Sequence, residues 1–141
     1  MRGCGNASED YGMVGRMALG WTLIRVVFGI VLGLGHGWGK VTGDMSRFAA
    51  GVAELGFPFP LFFAWCASLA ELVGGVLVAV GLFTRPAALF AGFTMLVALF
   101  RHRADPFGRM ELALLYLTVM VAVALIGGGP WSLDARVRRK A

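Results

Sequence analysis

Four apolar stretches set the fold of this chain before any other feature is read. They run from about Met17 to Gly39, Leu61 to Phe83, Pro86 to Phe100 and Glu111 to Gly127. A helix needs roughly 17–25 mainly apolar residues to cross the hydrocarbon of a bilayer. The first two stretches reach that length outright. The last two lie near the lower limit, where local thinning and snorkelling side chains such as Arg101 and Arg103 make up the difference. The chain also lacks the polar surface to stay in water: 58% of its 141 residues are apolar and 15% are charged, against about 45–50% and 25% in soluble domains. A small soluble enzyme is therefore excluded, as is a disordered or collagen-like chain. Backbone polar groups inside a bilayer must be satisfied within the protein, so the spans are expected to be helices.

The punctuation between the stretches agrees. Pro58 and Pro60 precede the second, Pro86 opens the third, Pro106 separates the third from the fourth, and Pro130 follows the fourth. Proline fits connectors and first turns because it has no N–H to leave unbonded there. Between the first two stretches, Met45, Phe48, Ala49, Val52 and Leu55 recur at spacings of three and four. This predicts a short amphipathic helix over Asp44–Leu55 in the interface, with Asp44 as N-cap and Gly56 as stop. A signal peptide fits the first stretch poorly, because it is long and no small-x-small cleavage site follows it. The expected fold is all-α: an integral membrane antiparallel four-helix bundle with a short interfacial amphipathic helix between helices 1 and 2.

Four spans place both termini on one side. Arg2, Arg16, Arg85, Arg136, Arg138, Arg139 and Lys140 would share it, with Lys40, Arg47, Arg101, Arg103 and Arg109 opposite and Arg25 inside the membrane. The larger basic set marks the cytoplasmic face, so both termini are expected there. The chain then divides into a cytoplasmic N-terminal segment (1–16), a transmembrane domain (17–134) and a basic cytoplasmic tail (135–141). Trp21, Trp38, Trp65 and Trp131 fall near span ends, where an aromatic belt belongs. No basic stripe alternates with aromatics, so nucleic acid is not an expected partner.

An ionisable group near a helix centre costs on the order of 2.5–3.5 kcal/mol to insert, so each one needs a partner or a task. Glu71 lies near the middle of the second span and Arg25 slightly to the cytoplasmic side of the first span's midpoint. An intramembrane Arg25–Glu71 pair is expected, either a strut that fixes helix register or a proton- or quinone-handling site. Gly29, Gly33 and Gly37 recur every four residues and allow close helix approach. His36 and Lys40 continue the Arg25 face, since eleven residues make close to three turns. A second cluster is expected at the outer end, formed by His36, Lys40, His102 and Glu111, with Glu111 read in a first helical turn that favours a carboxylate. These groups are either solvated anchors or a cationic pocket for an anionic or quinone head group. Two histidines with distant carboxylates do not make a metal site, and Cys4 and Cys66 neither share a face of the membrane nor show a ligand spacing.

Read in order, several segments resemble the DoxX family of small bacterial membrane proteins. They are Gly35-His36-Gly37, Gly56-Phe57-Pro58, Ala70-Glu71-Leu72-Val73-Gly74-Gly75 and Gly81-Leu82-Phe83-Thr84-Arg85, then Met95, His102, Asp105-Pro106-Phe107, Glu111 and Gly129-Pro130-Trp131-Ser132-Leu133-Asp134. The resemblance covers Trp21 to Asp134 and rests on order and spacing across four spans. It implies a four-helix protein of the bacterial cytoplasmic (inner) membrane. It also implies an integral subunit of a redox complex, quinone- or thiol/sulfur-linked, since the family takes its name from a subunit of a thiosulfate:quinone oxidoreductase. It assigns no established role to Glu71, His102 or Glu111. The chain carries no flavin, haem or iron–sulfur motif, so electrons would pass through a peripheral oxidoreductase, with quinone as the implied cofactor and a homo-oligomer as a further assembly. Two other readings stand beside this one. One is a non-catalytic membrane anchor or assembly protein whose tail, Arg136 to Lys140, binds anionic lipid or a partner. The other is a small proton-coupled transporter subunit that uses Glu71.

Overall fold

The computed structural model describes residues 7–140; Arg2 and Cys4 lie outside the described residues. The described chain is helical throughout and contains no strand. Helix α1 (Ala7–Ile30) runs without a break through a π-helical segment (Val31–Gly37) into α2 (Trp38–Thr42). There follow α3 (Met45–Ala53), α4 (Pro60–Val80), α5 (Thr84–Arg101), α6 (Phe107–Ile126) and α7 (Leu133–Lys140).

The local signals act where the sequence places them. The Asp44 side chain accepts from the Arg47 N–H at 3.1 Å and opens α3, and Gly56 turns the chain at φ 81°. Pro60 occupies the first turn of α4, and Gly81 ends that helix in the left-handed region, its N–H returning to the Leu77 carbonyl. Helix α6 begins at Phe107 rather than at Glu111, so Glu111 lies in its second turn, beyond the uncapped N–H groups of the first. The segment after Pro130 is helical, where sequence alone gave only a basic tail.

Among the described residues, three stretches are long and apolar enough to cross a membrane: Gly12–Thr42, Pro60–Val80 and Phe107–Ile126. Helix α5 has a similar apolar interior, but its 18 residues include Arg85, Pro86 and Arg101, which dilute it. Helix α4 packs between α1 with its π segment on one side and α5 on the other; α5 packs along α6, and α6 returns to α1. The buried stripe of α4, Ala64, Ser68, Glu71, Gly75 and Val78, recurs at three and four, which places Glu71 at its middle. The surface is inverted relative to a water-soluble protein. Leu125 is 72% and Phe90 68% exposed, while Arg25 and Glu71 are each 1% exposed. Apolar side chains facing outward and charged ones facing inward are what a lipid solvent selects.

The glycine stripe sets the depth at which α1 and α4 meet. A Cβ on Gly29 would lie 2.7 Å from the Gly75 carbonyl and the Ala79 nitrogen, and one on Gly37 would lie 2.3 Å from the Leu72 nitrogen. The two backbones therefore touch, and their register is fixed.

Candidate ligand cavity

Arg25 and Glu71 are both buried, as their cost in lipid requires, but they do not meet. The Glu71 Oε1 accepts from the Lys40 Nζ in a salt bridge. Arg25 instead donates from Nη1 to the carbonyls of Val78 and Ala79, at 2.5 and 2.6 Å, and from Nη2 to that of Trp131 at 3.4 Å. Two features of the helix packing keep Arg25 and Glu71 apart. Contacts of Gly29 with Ala79 and of Gly37 with Leu72 put Arg25 level with the C-terminal end of α4, about two turns beyond Glu71. In addition, the π segment, in which the Trp38 N–H reaches back to the Gly33 carbonyl, holds more residues per turn than an α-helix and resets the face on which His36 and Lys40 lie. Arg25 acts as a cation on the C-terminal carbonyls of α4, where the helix dipole favours it.

The expected outer cluster divides in the same way. Lys40 and His102 line one cavity of about 490 Å³ between α3, α4 and α5, with Lys40 contributed by α2. His36 does not reach that cavity; its ring packs edge-to-face on Tyr116, with centroids 5.3 Å apart. Glu111 is exposed on α6 and makes no ion pair or side-chain hydrogen bond among the described residues.

The walls of the cavity are aromatic. Phe48 comes from α3, Phe57 from the connector, Phe63 from α4, and Phe90 and Phe93 from α5. Phe90 and Phe93 are 68% and 59% exposed while lining it, so the cavity opens on the lipid-facing surface. At the inner end, the Lys40 Nζ lies 4.9 Å from the Phe48 ring centroid while it holds Glu71, tying α2, α3 and α4 together. The Glu71 Oε2 is buried without a hydrogen-bond partner. A mostly apolar pocket of this volume with a few convergent polar groups has the form of a small-molecule site.

Of the sequence candidates, Glu71, Lys40 and His102 line this cavity, but sequence reasoning missed its aromatic walls, because it placed α3 only as an amphipathic helix in the interface. Ala49 and Val52 instead pack on Ala64 of α4, with Met45, Phe48, Phe57 and Phe63 around them. The phenylalanines flanking Pro58 and Pro60 were the available signal. Arg101 was also missed as a brace: it donates to the Gly51 carbonyl and bridges Glu54 at 3.0 Å, holding α3 to α5.

Two carboxylates outside the spans organise the ends. At the cavity end, a hydrogen bond from the His102 ring at 2.7 Å holds the Asp105 carboxyl below the usual carboxylate range, with the nearby Arg109 guanidinium adding to the effect. At the other end, Asp134 accepts from the Phe83 N–H at 2.8 Å, the Thr84 N–H at 2.9 Å and the Thr84 hydroxyl at 2.6 Å. Partial burial alone would raise the Asp134 carboxyl, but these hydrogen bonds and the charge of Arg138 outweigh it and hold the carboxyl below its ordinary value. The Trp21 indole donates to the Gly127 carbonyl at 2.9 Å, so this tryptophan fixes the C-terminal connector to α1.

The fold and site define a helical membrane protein with charged groups turned inward beside an apolar cavity. The DoxX family model matches residues 14–103, a span that contains every cavity residue named above, and the chain belongs to that family. It is 32% identical over 117 residues to the inner membrane protein YqjF of Escherichia coli (strain K12), covering 78% of this chain and 86% of that protein. It is 32% identical over 118 residues to the Bacillus subtilis (strain 168) protein named "Putative oxidoreductase CatD", covering 82% and 85%. No solved structure matches the chain.

Proposed function

We propose that the chain is an integral membrane subunit of a redox complex, quinone- or thiol/sulfur-linked, and that its cavity receives a membrane-soluble carrier of the quinone class. In this reading α1 with its π segment and α2, α4, α5 and α6 form an antiparallel four-span bundle in the bacterial inner membrane, both termini are cytoplasmic, and α3 lies at the opposite interface. The names of two relatives, "Inner membrane protein YqjF" and "Putative oxidoreductase CatD", support it.

The observation that carries the reading is the buried Glu71 carboxylate, paired with the part-exposed Lys40, on the wall of an aromatic cavity open to lipid. The residues present fit a quinone: aromatic walls suit its ring, the Lys40 ammonium can donate to a ring carbonyl, and a carboxylate oxygen can accept from a quinol hydroxyl. A bound quinone would supply the two-electron chemistry, with electrons delivered by a peripheral oxidoreductase. The chain's own part is to bind, to orient and to exchange a proton at Glu71.

The test is binding of a short-chain benzoquinone to the purified protein and to Glu71→Gln. The expected result is at least a tenfold loss of affinity in a variant that still unfolds cooperatively. Unchanged binding by folded Glu71→Gln contradicts the site. A second reading, a membrane anchor for a partner protein, draws on α7, which presents Arg136, Arg138, Arg139 and Lys140 beyond the last span. Co-purification of a soluble oxidoreductase with protein that takes up no quinone favours that reading.

A further inference from the structure

A second cavity of about 430 Å³ adjoins the first and shares Leu55, Arg101 and His102 with it. Its remaining lining residues are Glu54, Arg103, Asp105 and Arg109, all polar. The carboxylates here are already engaged: Glu54 by Arg101 at 3.0 Å, and Asp105 by His102 at 2.7 Å and Arg109 at 3.5 Å. Two cations are not neutralised. Arg103 in this cavity donates to the neutral Phe100 carbonyl and lies over the Phe100 ring, and Arg47, which lines the first cavity, makes no ion pair among the described residues. An aromatic chamber thus adjoins a polar chamber that holds one unpaired guanidinium, that of Arg103.

We infer that the adjoining cavities bind an acid-headed amphiphile, its anionic head at Arg103 in the polar chamber and its apolar body among the phenylalanines of the first, where Arg47 also stands on the wall. The shared chemistry is a carboxylate or phosphate carried on an apolar chain, from a free fatty acid or from an anionic membrane lipid. A charged head gains from an arginine only when it is not already neutralised by the protein, and the apolar body gains by leaving water for the aromatic chamber. The inference rests on the first cavity being a ligand site, as the reading above does, but not on redox chemistry.

Cys66 is exposed and lines the first cavity, so occupancy can be read from its reactivity. With Cys4→Ser as background, Cys66 is the sole cysteine. Its maleimide labelling in a neutral detergent is to be followed against laurate, dioctanoyl phosphatidylglycerol, dodecanol and a short-chain benzoquinone. The expected result is protection by laurate or by the phosphatidylglycerol at concentrations about tenfold below dodecanol, as one charge-assisted contact warrants. Which of the two protects better separates the fatty-acid source from the lipid source. In Arg103→Gln the roughly tenfold advantage over dodecanol should disappear, and in the wild type it should fall with added salt. Equal protection by dodecanol, or none by either acid-headed compound, overturns the inference. The benzoquinone arm is independent: protection by it alone sinks this inference and leaves the proposed function standing, while protection by the acid-headed compounds alone does the reverse.

Discussion

Phe83 holds a left-handed backbone at φ 46°, a conformation that costs a residue with a side chain about 1–3 kcal/mol and persists only where its surroundings enforce it. Asp134 enforces it, gripping the Phe83 and Thr84 N–H groups that open α5. Asparagine keeps one acceptor oxygen but turns an amide N–H group toward the Thr84 N–H, so Asp134→Asn should lower unfolding stability by about 1–3 kcal/mol, the cost of a donor left unpaired. Because the carboxyl lies lower in the folded protein than in the unfolded chain, its stabilisation is complete above the ordinary carboxylate range and is lost as pH falls through the lowered value. The stability gap between wild type and Asp134→Asn should therefore be constant near neutrality and narrow in acid. A gap that ignores pH contradicts the ionised cap. The Lys40–Glu71 pair makes a sharper case. Lys40→Met leaves the buried Glu71 carboxylate unpaired and should cost about 3–5 kcal/mol, more than Glu71→Leu, which frees a part-exposed ammonium, and the double variant should cost far less than Lys40→Met. Double-mutant unfolding measurements check this coupling; additive losses in the two single variants would show that the pair is not the partner relation described.

At the scale of elements, the π segment is where reading from sequence stops working. Helices α3 to α6 were legible to within a few residues because apolar periodicity, prolines and terminal glycines all act locally. The face occupied by His36 and Lys40 was not, because it depends on residues per turn across Val31–Gly37, and a π segment is stabilised by tertiary packing rather than announced by composition. The glycines there show what that packing demands. Gly37→Ala would drive a Cβ to 2.3 Å from the Leu72 nitrogen, while a Cβ on Gly35 meets nothing nearer than Val31 Cγ1 at 3.6 Å. Gly37→Ala should therefore destabilise by about 1–3 kcal/mol, as overpacking does. Gly35→Ala should be close to neutral or slightly stabilising, by the helix propensity of alanine. Unfolding curves of the two variants decide the matter, and equal behaviour would contradict the close approach of α1 and α4.

At the scale of the whole molecule, an inverted polarity was readable from the amino-acid sequence and the cavity was not. The four apolar stretches and the sparse intramembrane charges fixed which residues needed partners, and Arg25, Lys40 and Glu71 all found them. Which partner each found depends on helix depth, set by glycine contacts between α1 and α4, and no spacing within one helix encodes that. The cavity needs α3 folded back onto α4 and braced by Arg101 to α5, a juxtaposition of segments about fifty residues apart. Whether that cavity is a ligand site with Lys40 and Glu71 as its working groups is tested most directly by quinone affinity in Lys40→Met/Glu71→Leu, which removes both charges without stranding either. The expected result is a folded protein with at least tenfold weaker binding. Wild-type affinity in the folded double variant would show that the pair only holds the helices together.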